Sequence, residues 1–123
     1  MPSRLLVVAY LATNVACSAH TDAVEYSVNA QINYNRGVDE LHRRDWTAAS
    51  SYFTFITSRF PYSKYAELAE LGLADIQFGQ GQWLDAMAAY RLFIKSHPFH
   101  DLVGNGYVSF RLGEAYGRSH CEH

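Results

Sequence analysis

From Ser27 to His42 the apolar residues Val28, Ile32, Tyr34, Val38 and Leu41 recur mostly three and four apart, which gathers them on one helical face. Arg43-Arg44-Asp45 interrupts the pattern, and Asp45 supplies an N-cap for a second helix from Trp46 to Arg59. That helix carries Ala49, Tyr52, Phe53, Ile56 and Phe60 on one side, and Pro61 ends it by withholding the next backbone donor. Ser63 caps a third helix, Lys64 to about Phe78, with Leu68, Leu71, Leu73, Ala74, Ile76 and Phe78 apolar. Gly79-Gln80-Gly81 is its turn. A fourth helix from Gln82 to Ser96 buries Trp83, Ala86, Met87, Tyr90, Phe93 and Ile94, and Pro98 closes it. A looser stretch, Phe99 to Gly106, precedes a fifth helix from Tyr107 to about Tyr116. There is no sustained alternation with a strand's period of two and few β-branched runs outside the amino-terminal apolar stretch, so the expected fold class is all-α.

The helices repeat. Gly37, Ala49, Phe53 and Pro61 return as Ala74, Ala86, Tyr90 and Pro98, each 37 residues later, and a third start follows at Leu112-Gly113 with Tyr116. A fixed period of this size marks an α-solenoid of helical hairpins, in which each unit buries its apolar face only against its neighbours. Small residues at Gly37, Ala74 and Gly113 are expected where two helices approach closely, with Ala49 and Ala86 playing the same part in the second helix. Phe53 and Tyr90 are expected to fill the space between units, and Trp46 and Trp83 to cover the joint of each hairpin. The repeats fall at about 30–61, 67–98 and, in part, 106–117; residues 118–123 leave the pattern and are expected to be a disordered tail.

The amino terminus reads as an export signal. Met1 to Arg4 carry a positive charge, and Leu5 to Ala16 are nearly all apolar or small. That run is shorter than the roughly 20 residues a bilayer span needs, but suits the h-region of a signal peptide. Val15-Ala16-Cys17-Ser18 resembles a bacterial lipobox. The expectation is a signal over 1–16, lipidation of Cys17, and a tether over 17–28. Asn14 stands where lipoboxes usually have Leu, so cleavage after Ala19 and an uncleaved apolar helix remain as alternatives. Ser18 after the cysteine resembles lipoproteins sent to the outer membrane. Several acyl chains on one residue would give a stable anchor where one chain is marginal.

Ala49-x₃-Phe53…Pro61 and Ala86-x₃-Tyr90…Pro98 resemble the second half of the tetratricopeptide signature, and Leu112-Gly113-x₂-Tyr116 its first half. Asn33, Glu70 and Ser109 depart from it where Trp is usual. More narrowly, Arg59-Phe60-Pro61-Tyr62-Ser63-x-Tyr65-Ala66, the run Tyr90 to His100, and Gly106 to Gly113 resemble the BamD-type outer-membrane assembly lipoproteins. That resemblance implies an outer-membrane lipoprotein on the periplasmic face that helps a β-barrel assembly machine. Its implied partners are the barrel-forming core subunit, accessory lipoproteins and unfolded outer-membrane proteins. Such proteins carry about five repeats, and this chain stops within its third, which reads as a truncated or frame-shifted member. A soluble periplasmic tetratricopeptide protein of the Tol-Pal coordinator type is the alternative, and a non-functional fragment the other.

Composition narrows the chemistry. The 123 residues carry a formal net charge of −2, and no Lys/Arg run exceeds Arg43-Arg44, which argues against nucleic acid as a partner. No cofactor is expected: Gly79, Gly81, Gly104 and Gly106 fall in turns rather than in a phosphate loop after a strand. His97 with His100, and His120-Cys121-x-His123, lack a fuller ligand set, so no metal is expected. No nucleophile–base pair can be assembled, and the chain reads as a binding protein rather than an enzyme. In tetratricopeptide proteins the first helix of each hairpin lines a concave groove. The groove candidates are Gln31, Tyr34, Val38, Leu41, Leu68, Leu71, Asp75, Phe78, Phe110 and Glu114, a set that reads equally as core packing.

Overall fold

A computed structural model describes residues 23–121; the signal, Cys17 and the last two residues lie outside the described residues. The described chain is helical throughout: α1 (Ala30–His42), α2 (Trp46–Arg59), α3 (Lys64–Gly79), α4 (Trp83–Ser96), α5 (Asp101–Gly104) and α6 (Tyr107–Cys121). Helices α1 and α2 form one antiparallel hairpin, α3 and α4 the next, and α6 packs on α4 as the start of a third. None of these helices is long and apolar enough to cross a membrane.

Local chemistry sets the ends. The Asn29 carboxamide accepts from the backbone of Gln31 and Ile32, Asp45 from Ala48, and Ser63 from Ala66, so each side chain satisfies amides that the first turn leaves without partners. The two turns within hairpins are built alike. Asp45 N donates to Glu40 O at 3.0 Å and Gln82 N to Gln77 O at 2.9 Å. The residue before each donor is left-handed: Arg44 with φ of 60° and Gly81 with φ of 75°. These two positions are one repeat apart, and only the second has the glycine that this backbone favours.

Phe53 and Tyr90 are fully buried, each in its own cluster. The first cluster joins Phe53 to Ala49, Ile56, Ala66, Ala69 and Ile76; the second joins Tyr90 to Leu71, Ala74, Ala86, Phe93 and Val108. Burial of a large apolar side chain of this kind contributes about 1.5–3 kcal/mol. Small residues make the approach possible. A Cβ on Gly37 would lie 2.7 Å from the Phe53 ring, and one on Gly72 2.6 Å from its other edge. Trp46 lies against Gly79 at the end of α3, in the next hairpin rather than over the joint of its own, and Trp83 lies beside Gly81 of its own turn.

Four expectations are corrected. Gly113 makes no close approach: nothing lies within 4 Å of a Cβ built there. Its counterpart Gly37 faces the second helix of its own hairpin, and no described helix follows α6 to play that part. Part of the stretch from Phe99 to Gly106 is ordered as α5, where the His100 ring accepts from Leu102 N. The last helix continues through Arg118 to Cys121, residues expected in a disordered tail. The tether expected over 17–28 is docked from Glu25 onward. Tyr26 stacks on Phe55 at 4.1 Å, and Glu25 O accepts from Arg36 Nη1 and from the Tyr52 hydroxyl. Fully buried Asn33 exchanges two hydrogen bonds with the backbone of Ser27, at 2.7 and 2.8 Å.

Candidate functional site

The first helices of the hairpins, α1 and α3, lie side by side, and the start of α6 closes the row. Between them is a cavity of about 140 Å³ lined by Tyr34, Val38 and Leu41 of α1, Leu68, Leu71 and Asp75 of α3, and Tyr107 of α6, with Phe53 and Gly72 at its base and Leu102 at its rim. Six groove candidates therefore converge on one space. Beside it opens a wider basin of about 480 Å³, which shares Leu41, Asp75 and Tyr107 and adds Trp46 and Arg111.

Asp75 is the polar centre. The Tyr90 hydroxyl donates to its Oδ1 at 2.5 Å, from the core side. Arg111 Nε stands 3.5 Å from the same oxygen, an ion-pair separation in which Nε, buried, completes no hydrogen bond among the described residues. Arg111 is held elsewhere: Nη1 donates to Glu114 Oε2 at 3.0 Å, and the guanidinium lies 3.9 Å from the centroid of the Phe78 ring. Burial raises the Asp75 carboxyl above the ordinary range, against the opposing pull of Tyr90 and Arg111. Burial, and then the Asp75 charge, raise Tyr90, Tyr34 and Tyr107 above the usual phenol range. Burial pulls Arg111 down, but Tyr90, Asp75 and Glu114 outweigh it and keep the guanidinium charged. The cavity thus sets the Tyr34 and Tyr107 phenols and the Asp75 carboxyl within apolar walls, with the Tyr90 phenol reaching Asp75 from the core.

The remaining candidates divide. Phe78 lies under Arg111 and edge-on to Trp83 at 5.1 Å, and Glu114 pairs with Arg111; both support the basin's wall without lining the cavity. Leu71 lines the cavity but is 4% exposed and belongs to the core. Gln31 is exposed and outside the cavity lining. Phe110 is 64% exposed and lines neither space. One repeat beyond Leu71 lies Val108, which is buried, so the 37-residue step marked Val108 rather than Phe110 as the inward residue of α6. Tyr107 and Arg111 went unnoticed, although their i, i+4 spacing puts them on one face of that helix.

The histidines form a separate cluster at the turn after α4. His97 Nε2 is 2.7 Å from Glu70 Oε2, and His100 Nε2 is 3.6 Å from Glu67 Oε2. Glu67 and Glu70 tie the start of α3 to this turn. Leu102 N donates to His100 Nδ1, so in the neutral ring the proton is on Nε2, the atom a metal would need free. No group of three or more His, Cys, Asp or Glu among the described residues is placed to hold a metal ion.

Residues 27–116 match the family model YfiO, described as an outer membrane lipoprotein. No solved structure matches the chain.

Proposed function

Because the chain belongs to the YfiO family of outer membrane lipoproteins, we propose that it is a helical-repeat scaffold of the machinery that inserts β-barrel proteins into the outer membrane. In this reading Cys17 carries the lipid and the repeats face the periplasm. The protein acts by binding and catalyses no reaction. Its partners are the barrel-forming core subunit, accessory lipoproteins and unfolded barrel proteins.

The observation that carries this reading is the cavity between α1 and α3. Its volume, about 140 Å³, is close to that of an apolar cavity of about 150 Å³ known to take a benzene-sized group. It suits one apolar or aromatic side chain of an extended segment, with the adjoining basin for a second. A nascent barrel strand supplies such side chains at alternate positions. Asp75 and the surrounding phenols offer hydrogen bonds to its backbone.

The test is titration of a fluorescein-labelled peptide with alternating apolar residues and a terminal phenylalanine. Leu68 is half-buried and lines the cavity, so Leu68→Gln should weaken binding at least fivefold with the far-ultraviolet circular dichroism intact. Unchanged affinity in a folded variant would remove the groove from the proposal.

A further inference from the structure

The two turns between successive helices at α2–α3 and after α4 each present an aromatic residue that no described residue covers. Tyr62 follows Pro61 and Phe99 follows Pro98, one repeat later, and both are fully exposed, at 101% and 98%. The turns themselves need neither ring. Proline stops the helix, Ser63 caps α3 and His100 caps α5, while the aromatic side chains point away from the fold. Two large aromatic side chains thus stand in water at matching places of two repeats.

Both turns lie on one edge. Antiparallel packing puts the end of α2, the start of α3 and the end of α4 there, and the Glu67–His100 and Glu70–His97 pairs bridge the two turns. The amino-terminal segment arrives at the same edge: Tyr26 stacks on Phe55, whose ring meets Phe60 just before Pro61 at 6.0 Å between centroids. Arg59 and Lys64 flank Tyr62, and Lys95 precedes Phe99; none of the three pairs with a carboxylate among the described residues. Asp101, Glu25, Glu67 and Glu70 stand at the same edge, the last two turned to His97 and His100, so its charge is mixed.

We propose that this edge is a lipid-contacting face. Tyr62 and Phe99 enter the headgroup region of a bilayer, and Arg59, Lys64 and Lys95 meet anionic lipid phosphates. Aromatic rings beside Lys and Arg are the side chains that the membrane–water boundary favours, since each has an apolar body and a polar or charged companion. The inference rests on the Cys17 anchor for proximity. Docked Glu25 comes eight positions after Cys17, which limits the distance to about 29 Å even at full extension. A domain on so short a lead keeps the edge where its chain emerges close to the surface.

The experiment uses the mature chain purified from envelopes and reconstituted in phosphatidylethanolamine/phosphatidylglycerol vesicles that contain acyl-chain-brominated phospholipid, a quencher of tryptophan fluorescence. Trp46 and Trp83 begin α2 and α4, at the opposite edge, and serve as an internal reference. Phe99→Trp and Tyr62→Trp place a reporter on the proposed face, and Leu84→Trp places one at an exposed site on the far edge. The proposal expects the added fluorescence of both turn variants to be quenched at least twofold more than that of Leu84→Trp. Equal quenching of all three in protein that floats with the vesicles overturns the lipid face, assigns the aromatics to a protein partner and leaves the anchor standing. Protein that does not float with vesicles at all overturns the anchor and the face together.

Discussion

Gly72 of α3 approaches Phe53 of α2 so closely that a methyl group on Gly72 would meet Cε2 at 2.6 Å. The ring cannot retreat, because Gly37 of α1 presses its opposite edge. Three helices from two hairpins are thereby locked around one phenyl group, and the cavity that holds the groove candidates lies above it, with Phe53 and Gly72 as part of its lining. The dimensions of the candidate site depend on two missing side chains.

The glycines of the chain should therefore respond in opposite senses to the same substitution. Gly72→Ala gains helix propensity but overpacks a rigid, fully buried ring, and is expected to lose about 1–3 kcal/mol. Gly113→Ala adds a methyl group in open space on an exposed helix face and is expected to gain about 0.5–1 kcal/mol. Urea denaturation of the two variants beside the parent chain checks both signs.

Asp75 should make stability fall as pH rises. Its folded pKa is raised, with burial the largest cause. The folded state then holds this proton more tightly than the unfolded chain does. The stabilisation is fully present below the unfolded value, about 3.9, and is lost as pH rises through the folded pKa. Asp75→Asn removes this component, so urea midpoints from pH 4 to pH 7 should fall more in the parent than in the variant. Tyr90→Phe, which deletes a hydrogen bond that favours the carboxylate, should steepen the parent's fall. Parallel curves for parent and Asp75→Asn would contradict the assignment.

Asn33 should control whether the amino-terminal segment stays docked. Its carboxamide bonds the Ser27 amide and carbonyl from a fully buried position. Asn33→Ala leaves both backbone groups without those partners, at about 1–3 kcal/mol. Amide exchange at Tyr26 and Ser27 should accelerate at least tenfold, while exchange in α4 stays close to the parent's. Unaltered exchange at Ser27 would show that the stack of Tyr26 on Phe55 holds the segment alone.

Much of this was legible in advance, for identifiable reasons. Proline, the Asp45 and Ser63 caps and the three-and-four spacing are local signals, so α2 begins and ends where its residues predict, and α3 and α4 lie within a residue of expectation. The inward row of α1 and α3 was legible in part: periodicity gathers Tyr34, Val38 and Leu41 with Leu68 and Leu71, but Val28 and Ile32, read onto the same face, are exposed, and Val28 precedes the helix. What escaped depended on partners distant in the chain. Gly72 is marked only by the ring of Phe53, and Asp75 becomes a polar centre only when Tyr90 and Arg111 arrive from other helices. Asn33, which departs from the repeat signature where Trp is usual, acquires its meaning from Ser27. Phe110 was chosen for its hydrophobicity, and the helix turns it to solvent. The short α5 rests on His100 acting as a cap, a use that a histidine beside a proline does not advertise.

The docked segment before α1 also determines how the domain meets mechanical load. A pull on the chain at its amino-terminal side reaches Glu25 and Ser27 before any helix. There it divides between α1, through Arg36 and Asn33, and α2, through Tyr52 and Phe55. The first hairpin is thus tied to its lead through both helices rather than through the end of α1 alone.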